Sequence, residues 1–204
     1  MKRARSVSAA SHLQNMKQTR SLSALGRLRI RNMVLSAFFL ALAYVLPFLT
    51  GQLKEIGSML CPMHIPVLLC GFICGWQWGL VVGLIAPLFR SLTLGMPVFF
   101  PGAVCMALEL AAYGAAAGLF YRFLPKKRSS VFAALLAAML LGQLVWGCAM
   151  HVCMSINGAP FSLAAFFAAA FANAVPGILL QILLIPLLLI QLQRRGALSP
   201  DRFR

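Results

Sequence analysis

The chain has 204 residues, 61% of them hydrophobic, with a formal charge of +15 and a mean hydropathy of +0.89. Only 10% of residues are charged, against roughly 25% in a soluble domain, and a chain this small cannot hide so much apolar surface in a soluble core. Composition therefore excludes a soluble globular domain and predicts an all-α integral membrane protein with several spans and one membrane domain.

The placement of the positive charge argues against nucleic-acid binding. Eight of the 18 Lys and Arg residues lie in residues 1–31. Arg122, Lys126, Lys127 and Arg128 form a second cluster, and Arg194, Arg195, Arg202 and Arg204 a third. Clusters of this kind beside apolar segments mark the cytoplasmic side of a membrane.

Residues 1–31 are rich in Ser, Arg, Lys and Gln, too polar for a secretory signal, and read as a disordered or membrane-surface cytoplasmic tail. The apolar segments that follow predict six spans, at residues 32–49, 59–75, 79–94, 103–123, 131–154 and 163–192. Trp76 to Trp78 read as an aromatic interfacial turn, and Pro97 and Pro101 stiffen the connection after span three. Asn157-Gly158 is a turn signal after span five, and Pro176 and Pro186 are expected to bend span six. Residues 193–204 form a basic tail. An even number of spans places both termini on one side, and all three basic clusters then lie in the cytoplasm.

Small residues recur at four-residue spacing in Ala37/Ala41, Gly71/Gly75, Gly79/Gly83 and Gly114/Gly118, a pattern that lets helices approach closely in lipid. The six cysteines form no CxxC pair and lack zinc-ligand spacing, so they read as small buried hydrophobes and predict no metal site.

Within the apolar stretch 59–113 stand His64, Arg90 and Glu109. An ionisable group at membrane depth costs on the order of 2.5–3.5 kcal/mol on insertion scales, which makes such residues functional candidates. A helical rise of about 1.5 Å per residue places His64 roughly 6–8 Å, Arg90 roughly 6 Å and Glu109 roughly 9–10 Å below the outer ends of their spans. Trp146 in span five and Asn173 in span six add polar or amphipathic groups. The set sits in the outer half, which points to a pocket open to the outside and not to a pore. Structural readings stand beside the functional one. Arg90 and Glu109 could form a buried ion pair, His64 could bond a carbonyl freed by Pro62 or Pro66, Trp146 could pack, and Asn173 could bridge helices.

The six-span layout, Ala37-x-x-x-Ala41 in span one, the run CPMHIPVLLCGFICGWQWGLVVG across spans two and three, and the acidic residue in span four resemble the substrate-binding S component of an energy-coupling factor (ECF) vitamin transporter. The resemblance implies a chain without enzymatic activity or cofactor of its own. Such a chain would capture a vitamin or similar micronutrient from outside, associate with a transmembrane coupling subunit and two cytoplasmic ATPases, and topple in the membrane to release its load. It implies that Ala37 and Ala41 face the coupling subunit. It also implies a pocket built from Gln52, Glu109, Trp146, Asn157 and Asn173, with His64 and Arg90 outside the family's usual set. Lys2 stands where the cobalt and nickel members carry a histidine, so a metal substrate is not implied. Arg90, with Lys54 above it, favours a small anion of the pantothenate type over a cation such as thiamine.

Two other classes compete. An intramembrane enzyme would want His-Glu-x-x-His or an aspartate cluster, and the sequence has neither. It also lacks a phosphate-binding Gly-x-x-x-x-Gly-Lys-Ser/Thr loop, so ATP hydrolysis would fall to partners. A self-sufficient secondary transporter or channel would show an internal repeat, which is not visible here.

Overall fold

The computed structural model describes residues 26–48, 62–125, 128–158, 162 and 175–194, with side chains for all of these but Arg128, Pro176 and Gln193. Gln52 and Asn173, the outer loop around Lys54, most of both tails and the first part of span six lie outside the described residues. The described chain is helical. We label the helices α1 (Gly26–Phe48), α2 (His64–Cys74), α3 (Trp76–Leu94), α4 (Val104–Phe123), α5 (Arg128–Ile156) and α6 (Val175–Arg194). No strand occurs among the described residues.

Four segments are long and apolar enough to cross a membrane: Gly26–Phe48, Trp76–Leu94, Phe99–Phe123 and Ser129–Ile156. His64–Cys74 and Gly177–Leu192 are shorter apolar helices. The six helices among the described residues match the expected number, but two boundaries differ from expectation. Helix α1 already includes Gly26 to Arg31, inside the stretch read as a tail, because Arg27, Arg29 and Arg31 end the apolar pattern without ending the helix; arginine is a good helix former. Trp76 and Trp78 belong to α3 and not to a turn. The turn is Gly75 alone, at φ +98° and with open space around it, so Gly75 is the hinge between α2 and α3 and not half of a packing row.

Helix α2 is the centre. All eleven of its residues are buried, and α3, α4 and α6 pack on it. Ser36 and Phe39 of α1 belong to the same interior, where the Cys70 thiol lies 3.7 Å from Ser36 Oγ. Burial on every side explains why α2 is apolar all round, with Pro66 tolerated in its first turn, where no intrahelical N–H bond is lost.

The remaining glycine rows behave as expected. A Cβ placed on Gly79 would stand 2.6 Å from the Gly114 carbonyl oxygen and 2.7 Å from Gly71 Cα. Helices α2, α3 and α4 therefore touch backbone to backbone at one junction. Gly142 plays a related part on α5, where a Cβ would meet the Tyr113 ring at 2.9 Å.

Between α3 and α4 the chain makes a wide turn over Phe99–Ala103, in which Phe100 is extended (φ −123°, ψ 131°) and the Ala103 N–H donates to Val98 O at 2.9 Å.

Candidate functional site

The buried ionisable groups His64, Glu109 and Arg90 separate into two clusters. His64 opens α2, and Glu109 stands in the second turn of α4, which packs alongside it. They meet: His64 Nε2 lies 3.3 Å from Glu109 Oε1, with side chains only 5% and 8% exposed. Tyr113, one turn beyond Glu109, meets the His64 ring edge-on with centroids 5.1 Å apart. The small residue at Gly142 gives Tyr113 the room to lie there. The stack from α5 through α4 to α2 thus fixes the imidazole on one face and at its tip.

The other ring nitrogen, His64 Nδ1, is buried and has no hydrogen-bond partner among the described residues. A buried polar atom left unsatisfied costs about 1–3 kcal/mol, so a ring held this firmly with one nitrogen unused is a site candidate and not a packing solution.

Arg90 is the second cluster, and it does not pair with Glu109. Its Nε donates to Met96 O at 3.3 Å and Nη1 to Tyr44 O at 3.4 Å, and its guanidinium carbon lies 5.5 Å from the centre of the Phe48 ring. The next residue, Ser91, donates through Oγ to Pro97 O at 2.7 Å. Arg90 and Ser91 thus hold the chain after α3, while Arg90 also engages a carbonyl in the last turn of α1, where positive charge suits the helix dipole. No carboxylate pairs with Arg90 among the described residues. The ion-pair alternative is therefore corrected: the side chain beside Glu109 is His64.

The remaining candidates are dispersed. Trp146 is half-buried on α5, and Asn157 is exposed in the turn beyond it. Ala37 and Ala41 are both exposed on α1, on the side away from buried Ser36, Phe39 and Ala43. Sequence reading missed Tyr44 and Phe48 as partners of Arg90; their spacing of four residues, with ring centroids 5.9 Å apart, was the available signal. It also missed the contact of Cys105 and Cys153, whose sulfurs lie 3.6 Å apart as free thiols. Buried Gln181 on α6 likewise leaves Oε1 without a partner among the described residues. No group of three metal-ligating side chains occurs among the described residues.

Comparison with known families matches residues 31–189 to the substrate-specific component of ECF transporters. The chain belongs to this family. No curated protein and no solved structure matches it. As an ECF substrate-specific component the chain is a membrane transport subunit that binds a small molecule and works with an ECF module. Its four long apolar helices suit such a membrane subunit.

Proposed function

We propose that this substrate-specific component captures a small water-soluble vitamin or related micronutrient, an anion of the pantothenate type, from outside the cell. It delivers that load to a transmembrane coupling subunit driven by two cytoplasmic ATPases, in a bacterial cytoplasmic membrane. The substrate contacts are His64, Arg90, Glu109, Trp146 and Asn157, joined by Gln52 and Asn173. The observation that carries the anionic reading is the division of charge: Glu109 is engaged by His64, while Arg90 has only carbonyl and ring partners among the described residues. Glu109 is thereby screened from an approaching anion. A guanidinium carries five N–H donors, and two carbonyl bonds leave others to face a carboxylate.

Arg90→Gln is expected to lower pantothenate affinity about 30-fold or more, while the purified protein stays monodisperse. Isothermal titration of the variant and wild type checks this. Equal affinity in both, or tight thiamine binding unaffected by the change, would remove Arg90 and the anionic class together.

The reading also needs both termini in the cytoplasm. In a cysteine-free background, impermeant maleimide should label Ser58→Cys and Ser155→Cys in intact cells and fail to label Ser129→Cys. Labelling at position 129 before lysis would reverse the orientation and close the proposed entrance.

A further inference from the structure

We propose that Cys105 and Cys153 are an oxidisable thiol pair, which a small disulfide outside the cell converts to a cystine that fastens α4 to α5.

The two sulfurs lie 3.6 Å apart, in contact across two helices and between residues 48 positions apart in the chain. Both are free thiols, Cys105 fully buried and Cys153 8% exposed. A disulfide bond is about 2.0 Å long, so the sulfurs must close by roughly 1.6 Å. That movement is within reach of rotation about the two Cα–Cβ bonds. The other described cysteines are placed differently. Cys70 and Cys74 share α2, where a bond would join no two elements, and Cys148 is exposed on α5.

Position along the helices gives the pair access to an oxidant. Cys105 stands in the first turn of α4 and Cys153 in the last turn of α5. The other ends of these two helices flank the basic cluster of Arg122, Lys126, Lys127 and Arg128. Helix α4 has 20 residues, a rise of about 30 Å, which matches the hydrocarbon core. The thiols therefore lie at the membrane face opposite that cluster. With the basic cluster in the cytoplasm, this is the outer face; that step rests on the reading that both termini are cytoplasmic, while the pairing itself does not. Disulfides persist outside the cell, whereas cytosolic thiols are kept reduced.

The chemistry is two thiol–disulfide exchanges. Cys153 is the more open of the two, so its thiolate attacks the external disulfide, forms a mixed disulfide and releases one small thiolate. Cys105, already in contact, then attacks the Cys153 sulfur and releases the second. Two protein thiols give up two electrons and two protons, and the external disulfide leaves as two small thiols. Excess external thiol runs the exchange backwards.

The bond would tie together the helices that carry two of the proposed substrate contacts. Cys105 is four residues from Glu109 and Cys153 seven from Trp146, so each cysteine shares a helix face with one of them and lies nearer the outer end. In the thiol state that end of the α4–α5 seam is held by packing. In the cystine state it is held covalently, and a closed loop restrains the unfolded chain.

The test uses the purified full chain at mildly alkaline pH, with oxidised glutathione as the disulfide probe and dithiothreitol as the reductant. Free thiols are alkylated after an acid quench, and the peptides are mapped by mass spectrometry. Wild type should yield a Cys105–Cys153 linked peptide and a melting temperature raised by about 5 °C or more, both reversed by dithiothreitol. Cys105→Ala should leave Cys153 holding glutathione, because no second thiol resolves the mixed disulfide. Cys153→Ala should leave Cys105 a free thiol, and neither variant should gain stability from the probe. Two free thiols at 105 and 153 in treated wild type mean simple packing and overturn the proposal. A bond from either one to Cys61 or Cys148 overturns the pairing, and a Cys105–Cys153 bond with unchanged melting overturns the fastening. The same probe added to intact cells, which it does not enter, tests the side: the linked peptide should form before lysis. Linkage only after lysis places the pair on the cytoplasmic side and overturns the outward placement together with the orientation, while membership of the transport family stands.

Discussion

Gly114→Val is expected to abolish the folded protein. The nearest atoms to a Cβ at this position are all backbone atoms of Gly79, with Gly79 Cα at 2.9 Å and its carbonyl group nearer still. A side chain in the way could rotate aside, but a helix backbone cannot. Relief requires α3 and α4 to move apart, and Gly71 of α2 packs on the same point, so three helices would separate together. In lipid, close backbone approach is the main source of helix association, because there is no water to drive apolar surfaces together. Overpacking in a flexible core costs about 1–3 kcal/mol; against rigid backbone on both sides the cost is roughly 3 kcal/mol or more, a large part of a typical stability of about 5–15 kcal/mol. Gly102→Ala is the control, since its Cβ would lie an ordinary 3.6 Å from Pro97 Cβ. Size-exclusion profiles of the detergent-solubilised variants decide the matter. A monodisperse Gly114→Val protein with wild-type melting behaviour would mean the junction is not where the bundle's stability lies.

The same residues show what a sequence can and cannot reveal. The membrane class was legible because apolar runs of span length have no soluble alternative. The glycines of the junction were legible as packing residues from their four-residue spacing. Gly75 had that spacing too, yet it is the hinge, since spacing does not distinguish a glycine selected for its missing side chain from one selected for positive φ. His64, Arg90 and Glu109 were legible as candidates from the cost of burying them. Their partners were not. Which of two side chains, Arg90 or His64, meets Glu109 depends on how α2 and α3 are rotated and shifted against α4, and helical periodicity within each segment carries no information about that offset. The short reach of α2 was hidden for a related reason: residues 59–63 continue its apolar pattern, so the span looked long enough to cross, while the helix starts at His64.

Ala37→Trp and Ala41→Trp are each expected to abolish uptake while leaving substrate binding by the isolated subunit intact. The two alanines are one helical turn apart and both exposed, in contrast with Ser36, Phe39 and Ala43, which face the interior. On the exposed side they are flanked by Phe38 at 58% and Val45 at 49% exposure, so they form a shallow strip between bulky side chains. Such a strip admits another helix at close range, and as a hypothesis it is the docking line for the coupling subunit. An indole there would project into lipid in the isolated protein, where it costs little, and would hold a partner helix away by several ångströms in the complex. Loss of a tightly packed central contact costs at least about 2 kcal/mol of binding free energy, roughly 30-fold in affinity. Affinity capture of the ECF module by the tagged subunit, measured beside substrate titration, separates the outcomes. Capture and uptake retained in both variants would leave the strip without a role in coupling. Loss of substrate binding along with capture would show that these alanines support the bundle itself, and the docking line would have to lie on another face.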